Sequence, residues 1–181
     1  MGLQFFRAVT FTMVLLFILA AAGTARAGGA VETAGDVVTA LLPASAGGMI
    51  LWLRDGEGAW QLAGSGALTL AATYGLKYTV NERRPNGEKY SFPSAHTSVA
   101  FASAEYLRKR YGWEYGIPAY ALASFVAYSR VDSDQHHPQD VIAGAAIGIA
   151  SSYLFTRPYR GWDVAVEADT RYYGIRLSRS W

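Results

Sequence analysis

Long stretches without a charged side chain follow one another along most of the chain, and each ends at a charged residue or a turn. Mostly apolar segments that contain small polar residues but no strict alternation are typical of helices packed in a bundle. We predict five core helices, at residues 37–53, 59–76, 94–111, 117–129 and 141–156. The fold class expected for residues 28–162 is therefore all-α.

The pattern changes after residue 162. Apolar residues alternate with others over 164–168 and again over 173–177, and Asp169-Thr170 lies between the two runs. Alternation with a period of two indicates strands, so residues 163–181 are expected to form a short C-terminal β-hairpin or tail.

The N-terminal residues have the order of a secretory leader. Arg7 is the only charged residue before Arg26, residues 8–22 are uncharged, and Ala25-Arg26-Ala27 offers a small-x-small cleavage pattern. We interpret residues 1–27 as a signal peptide, with an uncleaved first membrane helix as the alternative. Either interpretation sends the chain into the cell envelope.

Composition excludes several classes of function. The chain has no cysteine, so it has no disulfide framework, thiolate metal site or cysteine nucleophile. The formal net charge of +2 is too small for a protein that binds nucleic acid through its charge. The mean hydropathy of +0.11 lies between the values typical of soluble and of integral membrane proteins.

Polar and charged residues gather at the ends of the predicted helices. If neighbouring helices are antiparallel, the end of the second, the start of the third, the end of the fourth and the start of the fifth lie on one face of the bundle. Three groups occupy these ends: Lys77 with Arg84-Pro85; Pro93-Ser94-Ala95-His96; and Ser129-Arg130 with His136 and Asp140.

These groups suggest chemistry on a phosphoryl group. Lys77, Arg84 and Arg130 would place three cations together, which favours an anion with several oxygens. Ser94 begins a helix after Pro93, so free backbone amides would point to the same place. Each residue has an ordinary structural explanation by itself, such as the preference of serine for helix N-caps.

The histidines add a nucleophile and an acid. Asp140 follows His136 by four residues and could accept from one imidazole nitrogen, which leaves the other nitrogen free to attack. His96 could protonate a leaving group near neutral pH. His137 could also reach Asp140, and the residues alone do not choose between His136 and His137.

The order and internal spacing of these groups resemble the signature of the type 2 phosphatidic acid phosphatase superfamily, which includes class A acid phosphatases and vanadium haloperoxidases. The resemblance spans Lys77 to Asp140, and Ala95 stands where the pattern usually has glycine. It implies an all-helical bundle, no metal ion or other cofactor, and His136 as the residue that becomes phosphorylated. It also implies that Asp140 orients His136 and that His96 protonates the leaving oxygen and then activates water. The implied phosphate-binding groups are Lys77, Arg84, Ser94, the Ala95 amide and Arg130.

The expected enzyme is a phosphatase acting on a phosphorylated lipid of the envelope. A soluble periplasmic acid phosphatase is the alternative, followed by a haloperoxidase and a non-enzymatic envelope protein. Basic residues at the far helix ends favour a cytoplasmic location for those ends, and hence an inner-membrane protein whose active site faces the periplasm. These residues are Arg54, Arg108, Lys109, Arg110, Arg157 and Arg160.

Overall fold

A computed structural model describes residues 28–159, 161–169 and 172–180 of the chain. It contains five helices: α1 (Gly28–Leu53), α2 (Gly56–Val80), α3 (Ala95–Tyr111), α4 (Trp113–Asp132) and α5 (Pro138–Phe155). The all-helical prediction is confirmed for residues 28–159. The predicted leader lies outside the described residues.

Two short strands follow the helices. β1 (Gly161–Asp169) pairs with β2 (Tyr172–Ser180) in antiparallel register, with Val166 opposite Ile175. The predicted turn at Asp169-Thr170 extends into residues that the structure does not describe, so the C-terminal hairpin stays a prediction.

The first two helices are longer than predicted, at 26 and 25 residues. α1 includes the acidic residues Glu32 and Asp36 near its start, and α2 includes Glu57 in its first turn and Lys77 in its last. Acids near a helix start and bases near its end are favourable for the helix dipole, so these charges did not end the helices as the sequence pattern suggested. Both helices exceed the ~20 residues needed to cross a bilayer core.

Helix α3 is the centre of the bundle, with α1 and α4 on one side and α2 and α5 on the other. The α1–α3–α4 side holds the apolar core, in which Val38, Leu42, Ala104 and Val126 are almost fully buried. On the other side α5 approaches α3 backbone to backbone. A Cβ at Gly144 would lie 2.6 Å from the carbonyl oxygen of Ser94, and one at Gly148 would lie 2.7 Å from the amide nitrogen of Ala102. The GxxxG spacing of the sequence therefore marks a real close contact.

The polarity of α2 is reversed relative to a helix on the surface of a soluble protein. Its buried face is polar, whereas its exposed face is apolar and includes Trp60, Leu70, Tyr74 and Tyr78. By length and hydropathy, one helical segment within the described residues, Gly29–Leu53, qualifies as a membrane span. The buried positions of α2 recur at nearly every fourth residue: Gly58, Gln61, Ser65, Thr69, Thr73 and Lys77.

The helix ends opposite the candidate site are joined by ion pairs. Arg110 is buried and its Nε donates to Oδ2 of Asp55 at 2.8 Å, while Asp55 also caps α2 by accepting from the amide of Gly58. Arg108 pairs with the buried Glu105. Two of the basic residues that the sequence suggested as free cytoplasmic charges are therefore neutralised by internal carboxylates, which weakens that argument for orientation.

Candidate active site

His136 lies in the short connection between α4 and α5 and is 3% exposed. Its backbone amide donates to the carbonyl oxygen of Arg130 at 3.1 Å, which fixes the connection against the end of α4. Its Nδ1 lies 3.5 Å from Oδ2 of Asp140, in the first turn of α5. Nδ1 therefore faces the carboxylate, and Nε2 lies on the other side of the ring.

Ser91 is a third member of this group that the sequence analysis missed. It is fully buried, and its hydroxyl donates a short hydrogen bond to Oδ2 of Asp140 while lying 3.4 Å from Nδ1 of His136. The same carboxylate oxygen accepts from the amide of His137 at 2.9 Å. Asp140 is thus held from two sides in the orientation that faces the imidazole.

The surroundings of His136 favour the neutral imidazole. Burial, followed by the positive charges of Lys77 and Arg84, lowers the pKa of His136 to about 4, although Asp140 acts in the opposite direction. A neutral ring retains the lone pair that a nucleophile needs at neutral pH.

Lys77 reaches the site from the last turn of α2. It is 7% exposed, and its Nζ donates to the carbonyl oxygen of Tyr90 at 2.6 Å and to that of Ser91 at 3.3 Å. These bonds tie the end of α2 to the loop that precedes α3. The ammonium group is therefore positioned before any anion binds.

Arg84 lies in the loop between α2 and α3. Its Nη1 donates to Oε2 of Glu88 at 2.9 Å and to Oε1 of Gln135 at 2.8 Å. Gln135 directly precedes His136, so this bond connects the α2–α3 loop to the loop that carries the histidine. Neither Glu88 nor Gln135 was identified from the sequence.

Ser94 caps the start of α3, as its position after Pro93 suggested. Its hydroxyl oxygen accepts from Oγ1 of Thr97 at 3.1 Å, and its amide donates to the carbonyl oxygen of Asp140 at 3.0 Å. The second bond joins the starts of α3 and α5. Ala95 is the first residue of α3, and amides at this position have no carbonyl partner within their own helix.

Arg130 lies in the last turn of α4 and is 3% exposed. Its guanidinium donates to Oδ1 of Asp36 at 2.8 Å and to the carbonyl oxygen of Glu32 at 2.6 Å. The same Oδ1 of Asp36 lies 3.2 Å from Nε2 of His96. Asp36, which lies on α1, therefore contacts both Arg130 and His96. No role in the site was predicted for α1 from the sequence.

His137 is turned away from the group around His136. It is the N-cap of α5, and its Nε2 lies 3.1 Å from the carbonyl oxygen of Arg83. Its ring therefore contacts the α2–α3 loop, while its backbone bonds to Asp140: the His137 amide donates to the carboxylate and the His137 carbonyl accepts from the Asp140 amide. Of the two rings, that of His136 is the one that faces the Asp140 carboxylate.

The sequence did contain a signal for Asp36. Glu32 and Asp36 are the only charged residues between Arg26 and Arg54, and they are one helical turn apart. Two carboxylates in an otherwise apolar helix are costly to bury unless they are paired with a cation or a hydrogen-bond donor. Ser91 had no comparable signal, because a serine in a loop is ordinary and its burial depends on how the loop folds over α5.

The chain is similar to a known protein family and to several named phosphatases. The sequence profile of the PAP2 superfamily matches residues 79–162. The chain is 31% identical over 169 residues to a lipid A 4'-phosphatase of Helicobacter pylori (strain J99), which covers 83% of this chain and 85% of that protein. It is 39% identical over 94 residues to a lipid A 1-phosphatase of Porphyromonas gingivalis, which covers 47% of this chain and 21% of that protein. The crystal structure of LpxE from Aquifex aeolicus matches with a TM-score of 0.54 and 25% identity, covering 66% of this chain and 83% of that chain.

Proposed function

The chain belongs to the PAP2 superfamily, and from that premise we propose that it is a lipid phosphate phosphatase that works through a phosphohistidine at His136. The observation that carries the proposal is the position of His136, which is buried with Nδ1 3.5 Å from the carboxylate of Asp140, in surroundings that lower its pKa to about 4. A neutral imidazole with one fixed nitrogen is a competent nucleophile toward phosphorus.

The reaction has two steps. In the first, Nε2 of His136 attacks phosphorus, the bond to the leaving oxygen breaks, and His96 gives that oxygen a proton. In the second, His96 takes a proton from water, the water attacks the phosphohistidine, and inorganic phosphate leaves. The binding groups Lys77, Arg84, Ser94, the Ala95 amide and Arg130 stabilise the phosphoryl oxygens throughout, and this is the main source of catalysis in phosphoryl transfer.

A lipid is the proposed substrate, and lipid A phosphates come first among the candidates because relatives along most of the chain are named lipid A phosphatases. A cavity of about 260 Å³ supports the assignment to a lipid. It lies between α1, α2 and α3 and is lined mainly by apolar groups, including Pro43, Leu62 and Val99. Val99 and Ser103 follow His96 by three and seven residues, so they share a face of α3 with it. The cavity therefore lies along that face, on the C-terminal side of His96, the proposed proton donor. A chain attached to the leaving oxygen would extend in that direction.

The bilayer is the proposed location. The exposed face of α2 carries Trp60 near one end and Tyr78 near the other, 82% and 65% exposed. Eighteen helical residues separate them, or about 27 Å, which is close to the ~30 Å thickness of a bilayer core. Trp and Tyr are the residues that concentrate at membrane interfaces. A soluble periplasmic enzyme would expose this apolar face to water.

Trapping the intermediate tests the mechanism. Rapid quenching of purified protein with a ³²P-labelled lipid phosphate should give an acid-labile, base-stable phosphoprotein, with the label on His136. The variant His136→Ala should neither release phosphate nor become labelled, whereas His137→Ala should do both. Vanadate should inhibit the wild type, and EDTA should not. Phosphate release by His136→Ala, or label on His137, would refute the assignment.

A substrate panel then identifies the lipid. It should contain lipid A, phosphatidic acid, phosphatidylglycerol phosphate and undecaprenyl diphosphate, with a water-soluble phosphomonoester as comparison. The proposed function predicts the highest kcat/KM for one of the lipids. Preference for the soluble ester would instead support a periplasmic acid phosphatase.

A further inference from the structure

Helix α1 enters the site by an unusually close approach to the end of α4. A Cβ added at Gly35 would lie 2.8 Å from Nη2 of Arg130 and would collide with the side chain of Ser129. Glycine at this position therefore allows the next residue, Asp36, to reach the site. Asp36 also lies outside residues 79–162, where the superfamily profile matches.

The carboxylate of Asp36 contacts two residues with different tasks. Its Oδ1 is 2.8 Å from Nη1 of Arg130, a proposed phosphate ligand, and 3.2 Å from Nε2 of His96, the proposed proton donor. Asp36 is half exposed, and an ion pair at that degree of exposure adds little to the stability of a fold. Stability is thus a poor explanation for an acid placed between these two groups.

The charges around His96 indicate why a carboxylate at Asp36 would favour the protonated imidazole. Burial and the positive charges of Arg130, Arg84 and Lys77 all disfavour the protonated form of this imidazole. Asp36 is the carboxylate that acts in the opposite direction. The imidazole must carry a proton when the leaving oxygen departs, so a site rich in phosphate-binding cations needs a compensating negative charge.

We propose that Asp36 is a positioning residue for His96, which holds the imidazole by Nε2–H so that Nδ1 exchanges the proton with the leaving oxygen and then with water. The inference rests on the proposed function and extends it to α1. In the first step the P–O bond breaks, the P–N bond to His136 forms, and the proton on Nδ1 of His96 passes to the leaving oxygen. The neutral ring keeps its proton on Nε2, facing Asp36. In the second step the water oxygen forms a bond to phosphorus, the P–N bond breaks, and inorganic phosphate leaves. Nδ1 of His96 takes a proton from that water, which restores the imidazolium.

The two histidines are then held in complementary ways. Asp140 faces Nδ1 of His136 and leaves Nε2 to attack phosphorus, whereas Asp36 faces Nε2 of His96 and leaves Nδ1 to carry the proton. Each carboxylate fixes one tautomer of its neutral ring. In the variant Asp36→Asn, the side-chain amide could donate to Nε2 of His96 and so stabilise the wrong tautomer.

The role proposed for Asp36 can be tested by comparing kcat/KM for substrates whose leaving groups differ in basicity. The variant Asp36→Asn should lower kcat/KM for a lipid phosphate, whose alkoxide leaving group needs a proton, by about 10- to 100-fold. It should lower kcat/KM for p-nitrophenyl phosphate, whose leaving group is a weak base, by less than about threefold, because kcat/KM reports phosphoryl transfer to His136. Inhibition by vanadate should be unchanged. The matched control is Asp132→Asn, which removes an acid at the same end of the bundle that bonds only to Tyr128 in the described structure and should alter neither substrate.

Three results decide the matter. An equal loss on both substrates, or weaker inhibition by vanadate, would show that Asp36 acts through Arg130 and would overturn the proposal. In the background of His96→Ala, Asp36→Asn should cause less than a twofold further loss, and a full additional loss would also overturn it. Absence of turnover by the wild type on both substrates would contradict the proposed function itself, a result distinct from either of these.

Discussion

Oδ2 of Asp140 lies 3.5 Å from Nδ1 of His136, across the residues that begin helix α5. This relationship follows from local structure, because Pro138 starts the helix and places Asp140 in its first turn. The carboxylate also accepts from the amide of His137 and the hydroxyl of Ser91, so it cannot turn away without losing both bonds. The proposed nucleophile, His136, is therefore oriented by the same residues that form the helix start.

Replacing this carboxylate should cost far more than replacing the neighbouring histidine. Asp140→Asn should lower kcat by about 10²- to 10⁴-fold, because an amide can hold the wrong tautomer of the ring. His137→Ala should lower kcat only modestly, since its ring contacts the carbonyl of Arg83. Initial rates of phosphate release measure both. Similar losses in the two variants would contradict the assigned roles.

The pH dependence of His136 should follow from its neighbours. Its pKa of about 4 lies below the ordinary histidine value of ~6.5, so the unfolded chain binds a proton on this residue between these values and the folded chain does not. This residue therefore makes folding less favourable as pH falls from about 6.5 to 4. The ring should remain neutral and nucleophilic down to the lower value. Titration of ¹⁵N-labelled histidines by NMR measures the pKa directly.

A variant at Lys77 supplies the control for that titration. Lys77→Met removes a nearby cation and should raise the pKa of His136, because that cation opposes protonation. Lys89→Met makes the same change in the exposed part of the α2–α3 loop and should leave the pKa in place. A measured pKa of His136 near the ordinary value of ~6.5 in the wild type would refute this description of the site.

The sequence was sufficient to identify the helices and the three groups at their ends, because both leave local patterns. Uncharged runs revealed five helices, and spacing from His136 to Asp140 revealed a pair that one helix start brings together. Ser91 and Asp36 were missed because their roles depend on which distant segments pack beside them. The same is true of Arg110, whose charge is balanced by Asp55 across a sequence distance of 55 residues.

The ion pair at the other end of the bundle should be important for stability. Arg110 and Asp55 are each about 5% exposed, and removal of one partner leaves a buried charge unpaired. Asp55→Ala or Arg110→Met should therefore destabilise the protein by about 3–5 kcal/mol. The hydrogen bonds from Arg110 and the Gly58 amide keep the pKa of Asp55 below its usual value despite the opposing effect of burial, so the carboxylate is charged.

Thermal unfolding of the purified variants measures this prediction. The double variant should lose less stability than the sum of the two single variants, because it leaves neither charge alone. Additive losses would show that the two residues stabilise the fold independently.

The apolar cavity should set the preference for long-chain lipids. Gly66 lines it, and a Cβ at this position meets nothing within 4 Å, so Gly66→Leu should fill space without a clash. This variant should lower kcat/KM for a long-chain lipid phosphate by tenfold or more and leave a water-soluble phosphomonoester unaffected. Gly75→Leu is the matched control, on the exposed face of the same helix with open space around it. A loss on both substrates, or in both variants, would refute the assignment of the cavity to an acyl chain.

The orientation of the bundle can be measured with reporters. The starts of α1, α3 and α5 and the ends of α2 and α4 lie at the end of the bundle that holds the site, so one crossing, by α5, separates this face from Phe155 at the end of that helix. If the site faces the periplasm, a reporter active only in the cytoplasm should work when fused after Trp181 and fail when fused after Gly87, in the α2–α3 loop. A reporter active only in the periplasm should give the opposite pattern.

Activity of the periplasmic reporter at both positions, with the protein released by osmotic shock, would establish a soluble enzyme. Exchange of the two patterns would place the site in the cytoplasm, a result compatible with the ion pairs that neutralise Arg108 and Arg110.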